Sequence, residues 1–322
     1  MRLDQGSWLQ FERALDLRQG CYRRRLRWRS PEGATLEIEA ERIVSLEDAG
    51  LLAIHYRVRS LDYAGPITLE SSISTAREAA EQGFDPRIGS RIDGGLGTCD
   101  AHAAEDLAWV GQQTTHSGIR LVCAQRHRHA GELQFRHANL APHGVTQFYE
   151  GVLAPGQAVV LEKYVAYAFT SPFAGDQTSD LLARAQASLD AAGALGYPAL
   201  LARQARSLSA LWTQADLAID GDPSTEQALR FNLFHVFQSS SRDSHGTTAA
   251  KGLTGEGYEG HYFWDAEVFM LPVLATLAPE LARAMLLYRY RTLDHARRHA
   301  RELDHPRGAL YAWRTISGDE CS

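Results

Sequence analysis

Residues 251–269 read KGLTGEGYEGHYFWDAEVF, setting four glycines among Lys251, Glu256, Tyr258, Glu259, His261, Trp264, Asp265 and Glu267. Glycine lets a loop adopt positive φ and approach a ligand closely. Trp and Tyr offer flat apolar faces to the C–H groups of a sugar ring, and a carboxylate accepts two hydroxyl hydrogens at once. Together these types suit a carbohydrate site. They suit equally a glycine-rich turn that caps a helix, with Phe263 and Trp264 in the core, and residue types alone do not separate the two.

Other chemistries fit the same stretch less well. A Walker-type phosphate loop needs Lys-Ser/Thr after its last glycine and a strand ahead of it, and neither is present. Gly255, Gly257 and Gly260 match the spacing of a dinucleotide fingerprint, but a helical pattern precedes them where that motif requires a strand. His261 and Glu267 lack HExxH spacing and no second histidine stands nearby at a ligand offset, so His261 reads as a hydrogen-bond partner and not as a metal ligand. No cofactor is expected.

The frame that must hold this loop changes character along the chain. Up to about residue 170 the apolar pattern has period two, clearest where Leu36, Ile38 and Ala40 alternate with Glu37, Glu39 and Glu41. Ile54, Tyr56 and Val58 likewise oppose His55, Arg57 and Arg59, and further strands are predicted at 67–73, 119–124, 145–150 and 158–170. Gly94-Gly95 and Pro155-Gly156 supply turns between them. Strands with charge on one face point to an antiparallel β-sandwich, because a parallel sheet would read as unbroken apolar runs with helices between.

After Ser171-Pro172 the spacing shifts to three and four, in Leu182, Ala185 and Leu189 and again in Leu201, Ala205, Leu208 and Leu211, which predicts a helical linker. Asp222-Pro223 then offers a cap and a first helical residue. In the helix that follows, Leu229, Phe231, Leu233, Phe234, Val236 and Phe237 wrap apolar side chains around most of the cylinder, the mark of a buried helix. Two more helices are predicted, over about 264–278 with a kink at Pro272 and over about 280–301 with Pro279 in its first turn. The predicted organisation is a β-sandwich domain over 1–172, a linker over 173–220 and a helical domain over 221–322.

Bulk properties narrow the function classes. At 322 residues the chain exceeds the usual size of a single core, which favours two units. Apolar residues at 44% and charged residues at 22% belong to an ordinary globular protein rather than a disordered or membrane one. Lys and Arg number 33 against 39 Asp and Glu, a net charge of -6 that leaves no electrostatic footprint for nucleic acid or anionic lipid. Arg297, Arg298 and Arg301 accordingly read as a solvated helix face. Cys21, Cys99, Cys123 and Cys321 are widely separated, which disfavours structural zinc and a disulfide framework and points to a reducing, cytoplasmic setting. No apolar run has the length of a membrane span, and the amino terminus carries no basic-then-apolar leader pattern.

The loop and its flanks are similar to family 65 glycoside hydrolases. The resemblance is sharpest in KGLTGEGYEGHYFWDAEVF and extends through Arg230-Phe231-Asn232-Leu233-Phe234-His235, Pro279-Glu280-Leu281-Ala282-Arg283, Leu287-Tyr288-Arg289-Tyr290-Arg291, Gly308-Ala309-Leu310-Tyr311 and Trp313-Arg314-Thr315. It is fainter at Leu15-Asp16-Leu17-Arg18-Gln19-Gly20, Arg42-Ile43-Val44-Ser45 and Pro142-His143-Gly144. It implies an amino-terminal β-sandwich, a helical linker and an (α/α)6 barrel of which this chain holds only the first helices. It implies too that Trp264 and Asp265 line the subsite for the glucose that is cleaved, with Tyr258, His261, Glu267 and Trp313 as further substrate-binding candidates. Ala312 and Ala266 depart from the family pattern, which has Pro and Thr there. The glycine-rich stretch expected ahead of the first strands is missing, and three helices, one of them apolar all round, cannot close a core. The chain is therefore expected to be cut from a longer protein at both ends.

The activity implied is inverting phosphorolysis of an α-linked glucose disaccharide to β-glucose 1-phosphate and a free sugar. Inverting hydrolases place two carboxyl groups about a water. Phosphate arrives already anionic, so a phosphorolytic site needs one acid together with cations and donors that hold the phosphate. The family's general acid is a glutamate later in the barrel, expected beyond Ser322, so no residue of this chain is assigned a catalytic role. Glu267 and Glu320 are the only substitutes within it. Inorganic phosphate is the co-substrate, the disaccharide is the partner molecule, and a homodimer is expected of the longer protein. A trehalase-like hydrolase of the same family and a non-catalytic carbohydrate-binding module are the alternatives.

Overall fold

The computed structural model describes residues 5–75, 95–115, 117–170, 180–215, 217–253 and 257–322. They form two compact units, the first taking in the described residues before 76 and those from Leu96 to Ser209, the second Ala210–Ser322.

The first unit carries eleven strands: β1 (Ser7–Asp16), β2 (Cys21–Arg29), β3 (Thr35–Val44), β4 (Leu51–Ser60), β5 (Gly65–Ser74), β6 (Leu96–Ala103), β7 (Ala108–Thr114), β8 (Arg120–Ala130), β9 (Leu133–Ala141), β10 (Gly144–Leu153) and β11 (Ala158–Phe169). They build an eight-stranded sheet in the order β1-β2-β3-β4-β11-β8-β7-β6 and a three-stranded sheet in the order β5-β10-β9. Every pairing is antiparallel. The alternation in β3 does the work predicted of it. Leu36 and Ile38 turn inward with Leu26, Trp28, Val58, Val159 and Leu161 to meet Leu133, Tyr149 and Leu153 of the smaller sheet. On the opposite face, Glu39 lies between Arg25 (3.6 Å) and Arg57 (3.3 Å), and Glu37 between Arg27 (2.7 Å) and Arg59 (3.5 Å).

That opposite face is apolar farther along, where Cys21, Ile43, Ala53, Val122, Ala124, Tyr164 and Ala166 receive a layer of helix. Leu181, Ala185, Leu189 and Ala192 of α1 (Leu181–Leu195) fall at helical spacing and seat on it with Tyr197 and Leu200 of α2 (Tyr197–Ala215). Within the stretch that the sequence marks off as a linker over 173–220, residues 180–209 are therefore a layer of the first unit.

The second unit is helical. Asp222 caps α3 (Pro223–Ser239) by accepting from the Thr225 N–H at 3.0 Å. The expectation that α3 is buried all round is corrected: only Leu233, Phe234 and Phe237 are buried, and Phe231 is 46% exposed. One side packs with α4 (Leu271–Leu277) and α5 (Pro279–Arg291) around Leu274, Leu281 and Met285, while Phe231 lies outside that cluster, edge-on to the His235 ring at 4.4 Å. The helix predicted over about 264–278 is present from Asp265 to Leu277, but its first part, Ala266–Met270, is a π-helical turn that runs directly into α4, whose first turn holds Pro272. The helix predicted over about 280–301 is two, α5 and α6 (Leu293–Glu302). Between them the Thr292 hydroxyl donates to the carbonyls of Tyr288 (3.3 Å) and Arg289 (3.1 Å), in competition with the helical ladder. Among the described residues no helix is long and apolar enough to cross a membrane.

Candidate functional site

Two stretches far apart in sequence meet here. β12 (Tyr262–Phe263) pairs antiparallel with β13 (Arg314–Thr315), and just beyond the pair the Trp264 N–H donates to the Trp313 carbonyl at 3.2 Å. Ahead of β12 the glycine-rich loop ends in a 3-10 turn, Gly257–Gly260, in which Tyr258 (φ 61), Glu259 (φ 56) and Gly260 (φ 74) are all left-handed. Only glycine adopts that conformation without steric cost, so two successive side-chain-bearing residues there store strain that the surroundings must hold. Arg314 supplies the hold: its Nη2 donates to Glu259 Oε2 at 2.7 Å and lies 3.2 Å from His261 Nδ1. The same His261 nitrogen is 3.0 Å from the Tyr258 carbonyl oxygen, so it accepts from Arg314 in one tautomer and donates to Tyr258 in the other.

After β12 the chain enters the π-helical turn. Such turns add a residue to the helical repeat and re-aim the side chains around them. Asp265, at its entrance, is exposed and has no hydrogen-bond partner among the described residues. Glu267, two residues on, points the other way: Arg289 grips both its oxygens at 2.7 Å, with side-chain exposures of 6% for the arginine and 7% for the glutamate. The Arg289 guanidinium also lies 4.9 Å from the centre of the Trp264 ring, and on that indole Tyr311 stacks at 5.4 Å with 24° between planes. Trp264, Glu267, Leu271, Leu286, Arg289 and Tyr311 line a cavity of about 430 Å³.

Of the six residues singled out in the sequence, Trp264 and Glu267 share this cavity wall and the other four lie off it. Asp265 is exposed to solvent and is not part of the cavity wall. Trp313 is 53% exposed, its ring edge-on to Phe263 at 6.3 Å, and Tyr258 packs edge-on against the same Phe263 at 5.3 Å. Tyr258 and His261 thus belong to the cluster around Arg314. Glu320 is bound to the chain on either side of it, accepting from the N–H groups of Trp313 (2.7 Å), Arg314 (3.3 Å) and Ser322 (2.9 Å). Burial alone would raise its pKa, but the Ser322 hydroxyl and these backbone donors outweigh burial and hold it at about 2. A carboxylate so stabilised is a poor proton donor.

Sequence reasoning did not single out Arg289, Arg314, Glu259 and Tyr311 for this site. A signal existed for the first: Leu281, Ala282, Met285, Tyr288 and Arg289 share the buried face of α5, and a cation on an apolar stripe calls for a buried partner. Among the described residues no cluster of His, Cys, Asp or Glu is arranged to hold a metal ion.

Comparisons with known proteins agree across the chain's length. The model described as glycosyl hydrolase family 65, N-terminal domain, matches residues 1–211, and the one described as the family 65 central catalytic domain matches 230–322. The chain is 37% identical over 320 residues to an alpha,alpha-trehalose phosphorylase of Thermoanaerobacter brockii, covering 99% of this chain and 41% of that one. A kojibiose phosphorylase of Halothermothrix orenii is 30% identical, covering 99% of this chain and 40% of that one. A solved structure described as a putative kojibiose phosphorylase from human microbiome superposes on all of this chain and 41% of its own, with a TM-score of 0.86 and 25% identity. The chain thus spans about two fifths of the length of the curated relatives it matches.

Proposed function

This chain belongs to glycosyl hydrolase family 65, and we propose that it supplies the glucose-holding part of an α-glucoside phosphorylase acting on a disaccharide such as trehalose or kojibiose. The observation that carries the reading is the open carboxylate of Asp265 next in sequence to the indole of Trp264, between a strained loop held by Arg314 and a helical turn held by Arg289. Asp265 accepts two adjacent hydroxyls of the glucose unit, and Trp264 gives that unit an apolar wall. Trp313, exposed beside Phe263, offers a second ring face. Tyr258, His261 and Glu267 act behind these, the first two in the loop that Arg314 holds.

Cleavage proceeds with inversion. Phosphate attacks the anomeric carbon from the face opposite the departing oxygen, giving β-glucose 1-phosphate and a free sugar. The leaving oxygen needs a proton, and neither glutamate within reach is poised to give one: Arg289 occupies both oxygens of Glu267, and Glu320 is held ionised. The donor comes from outside the residues described, in the remainder of an (α/α)6 barrel to which α3–α6 contribute, so residues 1–322 alone cleave nothing. Phosphate is the only co-substrate, no cofactor takes part, and the protein works in the cytoplasm, as a homodimer in its complete form.

The test is to incubate the product of the complete reading frame with trehalose or kojibiose, with and without phosphate. Glucose 1-phosphate that appears only with phosphate supports the reading. Free glucose released equally without phosphate would replace it with a trehalase-like hydrolase, and binding without cleavage in either condition with a carbohydrate-binding module.

A further inference from the structure

Among the described residues of the second unit Arg289 is the most enclosed charged one, 5% exposed, and it touches three parts of the candidate site at once. Its Nε and Nη2 each donate to a different oxygen of Glu267 at 2.7 Å, and its guanidinium carbon lies 4.9 Å from the Trp264 ring centre and 5.2 Å from that of Tyr288. Tyr288 is itself tied down, its hydroxyl donating to the Ile316 carbonyl at 2.9 Å. A planar cation gripped at one edge by a carboxylate and faced by two rings has its position and tilt determined.

What that determines is the direction of Asp265. Residues two apart on a helical turn project to roughly opposite sides. With Glu267 pinned inward to α5, Asp265 is turned outward, and the indole one residue earlier is contacted by both the Arg289 guanidinium and the stacked Tyr311 ring. A π-helical turn has looser hydrogen bonding than an α-helix, so this anchor matters more here than it would in a regular helix.

We propose that Arg289 is a positioning residue for substrate binding: through Glu267 and Trp264 it fixes the aim of the Asp265 carboxylate at the glucose unit. This rests on the assignment of Trp264 and Asp265 above, so its test carries D265N as a control. Two variants of the complete gene product address Arg289. R289K keeps the charge but loses the two-pronged grip, and R289M/E267L replaces the buried pair with apolar groups of similar size.

Thermal melts establish that the variants fold, and KM for trehalose or kojibiose is then measured separately from KM for phosphate. The expected result is a rise of about tenfold or more in the disaccharide KM with the phosphate KM unchanged, since misaim of one group weakens only the contacts that group makes. A scaffold role would lower kcat in step with the folded fraction and leave both KM values alone. Unchanged disaccharide KM in either folded variant overturns the proposal, and so does failure of both to fold, which would tie Arg289 to stability alone. If D265N behaves as wild type, the site assignment itself falls. If D265N is impaired while the Arg289 variants keep their KM, only the positioning role falls.

Discussion

Asp265 and Glu267 leave the same turn of backbone toward opposite surroundings: the Glu267 side chain is 7% exposed and clasped by Arg289, whereas Asp265 is open to solvent with no partner among the described residues. One carboxylate is spent on structure so that the other is available for a ligand. A buried, two-pronged ion pair is a strong geometric constraint even where its net stabilisation is small, because desolvating both charges offsets most of their attraction.

That asymmetry predicts unequal costs. Truncating one partner, in R289A or E267A, leaves an unpaired buried charge and should lower unfolding free energy by about 3–5 kcal/mol, whereas R289M/E267L should cost well under that. Urea unfolding followed by circular dichroism checks it. Equal losses in the single and paired variants would mean that the pair contributes mainly packing volume.

The glycines near the site should differ sharply. Gly260 has φ +74 and open space where a side chain would go, so G260A pays only the left-handed backbone cost, about 1–2 kcal/mol. Gly318 has φ +111, and an added Cβ would meet Thr292 side-chain atoms at 2.9 Å, so G318A should cost about 3 kcal/mol or more and loosen the return segment that carries β13. Comparable melting temperatures for the two variants would argue against the packing described for residues 314–320.

Between the two sheets, His127 places Nε2 2.7 Å from the Ser71 hydroxyl, while its Nδ1 is buried without a partner. Burial first, then the nearby charges of Lys163 and His129, push its pKa down to about 3. The folded state therefore binds fewer protons than the unfolded chain between pH 3 and the ordinary histidine value near 6.5, so stability rises with pH across that window and is lost as pH falls through it. Lys163, pushed by burial to about 8, is charged in both states below pH 7 and adds little to this slope. Stability should drop by about 2 kcal/mol from pH 7.5 to 5, and H127Q should remove that part of the drop. An unchanged slope in H127Q would mean that the imidazole is hydrated in the folded protein.

Much of the frame was legible because it is local. The alternation in β3 and β4 needs only neighbouring residues, as do the three- and four-residue spacing of α1 and the Asp222-Pro223 start of α3. Weaker strands escaped. β2 carries five arginines, four of them at alternate positions with only Leu26 and Trp28 buried between them, and its strand character rests on pairing with the glutamates of β3. The break at Thr292 depends on a hydroxyl choosing backbone carbonyls over solvent, which residue type permits but does not require. In the site, Trp264 and its neighbours stood out by composition. The pairs that hold them did not, since Arg289 and Glu267 are 22 positions apart and Arg314 and Glu259 are 55 apart, and nothing short of the tertiary fold brings them together.

The central claim is that Asp265 meets the hydroxyls of one glucose unit. Its most direct test is the kcat/KM for phosphate-dependent cleavage of trehalose and kojibiose by the complete gene product, compared with D265N. Losing the charge from two hydroxyl contacts, each worth about 1.5–3 kcal/mol, predicts a fall of roughly 100-fold or more with the fold intact. A D265N enzyme within about twofold of wild type on both sugars would contradict the account.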